Sequence, residues 1–428
     1  MALARLDLRG HRGPFDAVVP RPAAAGADVR EAVAAVIGDV RRRGDDALRE
    51  LTERFDGVAV TELRVPPEEV ASAPSRVPAA LREALGVAHE RIRAYHAHTA
   101  RDEPAGTFCS DGVEVRELVR PVARAGCYAP GGRARYPSTV LMCATPAAVA
   151  GVREVALCAP PGPDGRVADA VLAAAALAGV DEVYRIGGAQ AIAALAYGTE
   201  SVRRVDVVVG PGNLYVAEAK RQVAGAVGVA SAFAGPSEVV VVAGPGTPAR
   251  LAAIDLVVQA EHGPDGLAWL VTWSEATARE VADEVAALVA ASPREADLRA
   301  TLAKGGYACL VDGPEAAVAV ANVIAPEHLE LLVPEAADLL PLVEAAGAVF
   351  LGLGSPASFG DYLAGPNHVL PTDRTARFAS ALGVEDFRHR LHAVAVDPRA
   401  LAALGPHVVT LAEAEGLPAH AESIRARL

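Results

Sequence analysis

Lysine is nearly absent: Lys220 and Lys304 are the only two in 428 residues. That leaves two candidates for a Schiff-base amine. The accompanying arginine excess is of a kind that base composition alone produces, so no binding patch is read from it. Cysteine is scarce as well. The five thiols (Cys109, Cys127, Cys143, Cys158 and Cys309) are scattered, odd in number and never spaced as C-x-x-C. This excludes a disulfide framework and a thiolate zinc knuckle, and a reducing cytoplasm is the simplest home. A formal charge of −13 offers no broad attraction to nucleic acid or to an anionic membrane. Long apolar runs are missing too: the most apolar tract, "STVLMCATPAAVAGV", falls short of a ~20-residue span and contains Pro146. The start, "MALARLDLRGHRG", has charges where a signal peptide needs its apolar core. What is abundant is hydrophobic residues, 52% of the chain, enough for a folded core in two or three domains. The expectation is a soluble cytoplasmic protein without nucleic-acid or membrane partners.

Helical stripes dominate the first hundred residues. Val29, Val33, Val36, Ile37 and Val40 lie on one face, and Leu81, Leu85, Ala88, Ile92 and Tyr95 on another. His96 and His98, near the end of the latter helix, read as solvated. "GVEVRELVRPV" then alternates like a strand, and from about residue 150 strand and helix take turns. "VDVVVG" and "EVVVVAG" are continuous apolar strands of the kind buried on both faces of a parallel sheet. The pattern predicts an α/β protein with helix-covered parallel sheets in two lobes, and a short helical tail from about Ser380.

Several clusters carry possible chemistry. "LVVQAEHGPDG" crowds Gln259, Glu261 and His262 into one helical turn before Gly263-Pro264. A polar helix end explains it, since His suits the terminal dipole and Gly-Pro stops a helix; so does a metal site, because Gln259 and His262 share a face. Two glycine turns, "RIGGAQAI" and "VVVGPGNLYV", follow apolar strands and could cradle phosphate. The second is not the dinucleotide fingerprint, having Tyr215 where the last glycine should be, and any α/β crossover needs such turns. In "IAPEHLEL", Glu327 and His328 offer an acid–base pair or merely a surface helix start. "GSPASFGDYLAGPNHVLPT" holds Asp361, Asn367 and His368 on a long irregular loop, which favours function. Asp361 and His368 are both possible ligands to a borderline metal such as Zn2+. "EAEGLPAHAESI" adds Glu415 and His420 near the C-terminus, where a lone His is ordinarily just exposed.

Taken in order, nine collinear segments resemble histidinol dehydrogenase: "YAPGGRARYPSTVLM", "GGAQAIAALAYGTESV", "GPGNLYVAEAKRQV", "AGPSEVVVVA", "AEHGPDG", "PEHLEL", "GDYLAGPNHVLPT", "TARFASALGVEDF" and "EGLPAHAESI". The resemblance covers essentially the whole chain. It implies a zinc enzyme that oxidises L-histidinol to L-histidine through the aldehyde with two NAD+. By residue match, Gln259, His262, Asp361 and His420 hold the zinc, which orients the amine and imidazole of the substrate. His328 is then the base that takes the hydroxyl proton, and Glu327 activates the water that adds to the aldehyde. Ser237, His368 and Glu415 match substrate contacts, joined by His328 and the four metal ligands. Tyr128, Gln190 and Asn213 match NAD contacts. Cys127 adjoins Tyr128, yet the family needs no thiol nucleophile.

The fold so implied is two incomplete Rossmann-like lobes with parallel sheets and small extended terminal domains, in an intertwined homodimer with shared active sites. Residues 1–24 are expected as an N-terminal arm. Residues 25–120 with 238–378 would form the lobe of the metal and substrate, 121–237 the NAD lobe, and 379–428 a tail packed on the partner. "LAWLVTW" departs from the family by placing Trp269 and Trp273 where smaller or polar residues are usual. Two other readings compete. One keeps the fold and zinc but oxidises another small alcohol, such as a sulfonated diol, against which the Glu327-His328 pair and Glu415 argue. The other is a zinc hydrolase using Glu327 or Glu261, which would make no NADH.

Overall fold

Buried valine runs become strands and alanine-rich stretches become helices. The computed structural model describes residues 3–20, 27–100, 106–131, 135–230, 237–261, 263 and 266–428. Strand β1 (Ala4–Asp7) precedes four helices, α1 (Ala27–Arg43), α2 (Asp45–Asp56), α3 (Pro67–Arg76) and α4 (Ala79–Thr99). After β2 (Thr107–Ser110) and β3 (Val113–Pro121) the chain alternates through β4 (Arg124–Tyr128), α5 (Pro137–Ala150), β5 (Glu154–Ala159), α6 (Asp169–Leu177) and β6 (Glu182–Arg185). It continues with α7 (Gly188–Tyr197), β7 (Val207–Val209), α8 (Leu214–Val223) and β8 (Gly228–Val229). A second alternation comprises β9 (Glu238–Val242), α9 (Ala249–Ala260), β10 (Leu267–Thr272), α10 (Glu275–Ala291), α11 (Glu295–Gly305) and β11 (Gly306–Leu310). It ends through α12 (Pro314–Ile324), β12 (His328–Leu331), α13 (Ala336–Leu339), β13 (Ala348–Leu351) and α14 (Ala357–Tyr362). The tail is β14 (Arg388–Val396), α15 (Pro398–Ala414) and α16 (Pro418–Arg425).

Two sheets are parallel throughout, in the orders β1-β11-β10-β9-β12-β13 and β6-β5-β4-β7-β8. Apart from the edge strand β1, each starts at a central strand, β9 or β4, grows to one side, then crosses to the other. Reversals of this kind, between β9 and β12 and between β4 and β7, leave a crevice at the edge of the sheet. Helices cover both faces. Val239 and Val241 pack under α9 and α10, whereas Val240 and Val242 pack over α12, as the two-residue period of a strand requires. The third sheet is antiparallel, in the order β14-β3-β2. Among the described residues, no helix is long and apolar enough to cross a membrane.

Residues 25–120 do not accompany 238–378. Helix α1 packs on α7 and α8, α3 on α6, and α4 on α5, so all four leading helices belong to the five-stranded lobe. An apolar stripe dictates that a helix is covered, not which sheet covers it. The expected N-terminal arm instead contributes β1 to the edge of the six-stranded sheet. The tail is not purely helical either: β14 pairs along its whole length with β3 of the same chain. His96 is buried with neither ring nitrogen hydrogen-bonded among the described residues, and burial pushes its pKa down to about 4. Trp269 is buried in the core and stacks on Tyr307 of the neighbouring strand at 4.1 Å, which gives this departure from the family pattern a packing role.

Candidate active site

The amino ends of β9 and β12 meet at the reversal of the six-stranded sheet. Ser237 stands just before β9, Glu327 just before β12, and His328 is the first residue of β12. The surface helix start that "PEHLEL" allowed is therefore a buried strand start. Ser237 Oγ donates to Glu327 Oε2. His328 Nε2 lies 3.3 Å from Asp361 Oδ1, and its Nδ1 lies 3.9 Å from Glu327 Oε2. Burial alone would lower the His328 pKa. The Glu327 and Asp361 carboxylates, with Glu330 behind them, outweigh it and push the value up to about 9.

Asp361 sits on a short helix, α14, where an irregular loop was expected. The helix can lie close to the sheet because position 360 is glycine: a Cβ there would fall 2.5 Å from the Phe350 ring on β13. His368 follows, with Nδ1 donating to the Asp361 carbonyl at 2.8 Å and Nε2 left to accept from Thr139 Oγ1 at 3.2 Å. Its burial pulls the pKa down against the pull of Asp361, so the ring is neutral with one tautomer favoured. Thr139 belongs to α5, so this contact joins the two lobes. Asn367 is structural: Nδ2 donates to Met142 O at 2.5 Å and Oδ1 accepts from Val369 N at 2.9 Å.

Gln259 occupies the last turn of α9, buried, with no partner for Nε2 among the described residues. His262 lies outside the described residues. Glu261 caps the helix, and the Tyr362 phenol feels both it and Asp361, which sets the end of α9 beside α14. The structure thus gathers Ser237, Glu327, His328, Asp361 and His368, with the Gln259 turn adjacent. It does not bring Glu415 or His420 to them. Both are exposed on the α15–α16 hairpin, and among the described residues no three His, Cys, Asp or Glu side chains converge to hold a metal. Two buried carboxyl groups, Glu238 and Glu330, and the half-buried Asp255 escaped the sequence reading. Glu238 accepts the Glu327 amide, and Glu330 and Asp255 are hydrogen-bonded to each other. A lone acid in an otherwise apolar strand or helix was the available signal.

The five-stranded sheet presents its carboxyl ends instead. Tyr128 ends β4, and its hydroxyl accepts from Gly188 N at 3.1 Å; burial raises its pKa and keeps the phenol protonated. Gly210 ends β7 at φ +111°, and a Cβ there would fall 2.1 Å from Tyr128 O. Only glycine fits that turn. Lys220 Nζ, buried and lowered to about 8 by burial, donates to Gly210 O at 2.7 Å and braces it. Gln190, in the first turn of α7, is buried with neither amide atom partnered among the described residues. Asn213 caps α8, its Oδ1 accepting from Tyr215 N and Val216 N at 3.1 Å, which leaves Nδ2 to a ligand. Asp56 reaches the same turn, with Oδ1 3.4 Å from where a Gly187 Cβ would be, and burial pushes its carboxyl up to about 6. Cys127 is buried, and its contact with Cys143 and its burial both raise its pKa. Such a thiol is inert.

Two reversed parallel sheets, a glycine-lined crevice and a buried acid–base cluster define a nucleotide-dependent α/β enzyme. The family model described as histidinol dehydrogenase matches residues 19–428. Histidinol dehydrogenase of Gluconobacter oxydans (strain 621H) is 47% identical over 411 residues, covering 95% of each chain. That of Synechococcus sp. is 47% identical over 428 residues, covering 100% of this chain and 96% of the relative. A crystal structure of histidinol dehydrogenase from Elizabethkingia anophelis superposes with a TM-score of 0.92 at 33% identity, covering 100% of this chain and 98% of that one. The chain belongs to the histidinol dehydrogenase family. It is an NAD-dependent oxidoreductase with a small-molecule substrate, acting at the last step of histidine biosynthesis.

Proposed function

We propose that the chain is a zinc-dependent enzyme that oxidises L-histidinol to L-histidine through L-histidinal, reducing two NAD+. The observation that carries this reading is the cluster of buried Glu327 and His328 with half-buried Asp361, beside the buried Gln259 side chain. Gln259 and Asp361 fit a zinc ion through oxygen, the amide Oε1 of the one and the carboxylate of the other. His262 and His420 complete the set, the latter supplied by a second copy. Zinc held there would orient the amine and imidazole of the substrate.

With Asp361 engaged by the metal its pull on the His328 proton would ease, and the neutral ring would take the hydroxyl proton as hydride leaves the carbinol carbon for the nicotinamide. Glu327, held by Ser237 Oγ, removes a proton from the water that adds to the aldehyde, and a second hydride then leaves. Ser237, His368 and Glu415 contact the substrate alongside Gln259, His262, His328, Asp361 and His420. The turns that carry Tyr128, Gln190 and Asn213 fit NAD, because the positive dipole ends of α7 and α8 favour phosphate and the buried Gln190 amide has no partner among the described residues. Residues 238–378 form the metal and substrate lobe, and 121–237 lie in the NAD lobe. The enzyme works as a cytoplasmic homodimer with shared active sites, without nucleic-acid or membrane partners. Exposed Leu404, Val408, Leu411 and Leu417 on α15 and the turn after it support a partner seated there. The decisive assay counts NADH formed per histidinol consumed, with and without a chelator. About two NADH per turnover, abolished by chelation, is the expected result. Product without NADH would replace the dehydrogenase with a zinc hydrolase.

A further inference from the structure

A buried carboxyl group, Glu330, meets a half-buried one, Asp255, behind the catalytic cluster. Glu330 follows His328 by two residues on β12, so both side chains leave the sheet on the same face. The strand register pairs Glu330 with Val241, which packs under α9. On that face Glu330 is fully buried and reaches two further elements. Its Oε1 accepts from Ala357 N, the first residue of α14, at 2.8 Å. Its carboxyl is also hydrogen-bonded to Asp255 on α9. Asp255 lies one helical turn before Gln259, and Ala357 one turn before Asp361. One side chain therefore ties the strand of the base to both helices that carry proposed metal ligands.

The contact between the two acids needs a proton. Glu330 Oε2 meets no other donor among the described residues, and burial together with Asp255 raises the Glu330 pKa. A protonated carboxyl suits its place, donating through O–H to Asp255 while the second oxygen takes the Ala357 amide. An apolar side chain of the same volume would fill the space and join nothing.

We propose that Glu330, acting through Asp255 and Ala357, is a positioning residue that sets the spacing of Gln259 and Asp361 around the metal. This rests on the zinc reading above. Groups one layer behind metal ligands typically change metal affinity by about 10–100-fold when removed. The test is zinc affinity of the purified full chain, by competition with a chromophoric chelator, alongside circular dichroism. Glu330→Gln keeps an acceptor for Ala357 and a donor for Asp255, and should bind zinc within about threefold of wild type. Glu330→Leu and Asp255→Ala should each weaken zinc binding by about 10–100-fold while remaining folded. If Glu330→Leu fails to fold, Asp255→Ala decides alone. Wild-type zinc affinity in a folded Asp255→Ala or Glu330→Leu variant would overturn the proposal, as would a Glu330→Gln loss as large as that of Glu330→Leu. Gln259→Ala separates the two claims: if it too leaves zinc binding intact, the metal-site reading itself has failed.

Discussion

The two parallel sheets follow the same strand logic and work at opposite ends. In the five-stranded sheet the candidate cofactor groups gather where strands finish: Tyr128 after β4, Gly188 after β6, Gly210 after β7. In the six-stranded sheet the acid–base groups gather where strands begin, with Ser237 before β9 and Glu327 and His328 at β12. Helix ends account for the difference. At the carboxyl ends of the strands the following helices start, so α7 and α8 turn positive dipole ends toward a phosphate, with Tyr128 Oη and Asn213 Oδ1 taking part of their first-turn N–H groups. At the amino ends helices finish, so the last turn of α9 offers carbonyls and a negative dipole end, which suits a cation. A similar pair of sheets can thus serve an anionic cofactor on one side and a metal on the other.

The strongest attack on this division is at the cation side. Asp361→Ala and His420→Ala homodimers should each lose zinc and about a thousandfold or more in activity, worth about 4 kcal/mol of barrier. If each site draws on two chains, a mixed dimer collects both lesions in one site and neither in the other. Co-refolding the two inactive variants should then restore up to about half of wild-type activity in a pure heterodimer. Heterodimers verified by mass spectrometry and folded, yet inactive, would place the whole site in one chain.

Within the acid–base cluster, Glu327→Gln should slow oxidation of supplied histidinal by about 10²–10⁴-fold. The first hydride step from histidinol, followed in single turnover, should suffer less, because it needs no activated water. Equal losses would end the separation of roles between Glu327 and His328.

Gly210→Ala strikes the other sheet. Left-handed strain and the clash with Tyr128 O should cost about 1–3 kcal/mol and raise the NAD+ KM about tenfold. Zinc content per chain should not change. A variant that lost both would show that the two ends are not independent. The smallest effect belongs to Cys127→Ala, which should retain activity within about threefold and show no covalent acyl intermediate, at a packing cost of about 1 kcal/mol. Trapping an acyl adduct on wild-type Cys127 by mass spectrometry would contradict its inert burial.

Much of the alternation from residue 150 onward was legible, because strands such as "EVVVV" are buried on both faces and announce themselves as unbroken apolar runs. Asp361 was assigned to a loop, since a six-residue helix leaves little periodicity to detect. Glu330 and Asp255 passed unnoticed. Their meaning lies in each other, and 75 residues separate them in the chain.

By itself the sequence determined the α/β class and most of the strand–helix alternation from residue 150 onward, because hydrophobic period is a local property. Which sheet each helix covers was decided only in three dimensions. So were the burial of His96, the pairing of β14 with β3, and the convergence of Ser237, Glu327, His328, Asp361 and His368. An amphipathic helix needs an apolar partner and accepts any that fits. The choice among partners, and the pKa shifts that follow from it, comes from packing between segments far apart in the chain.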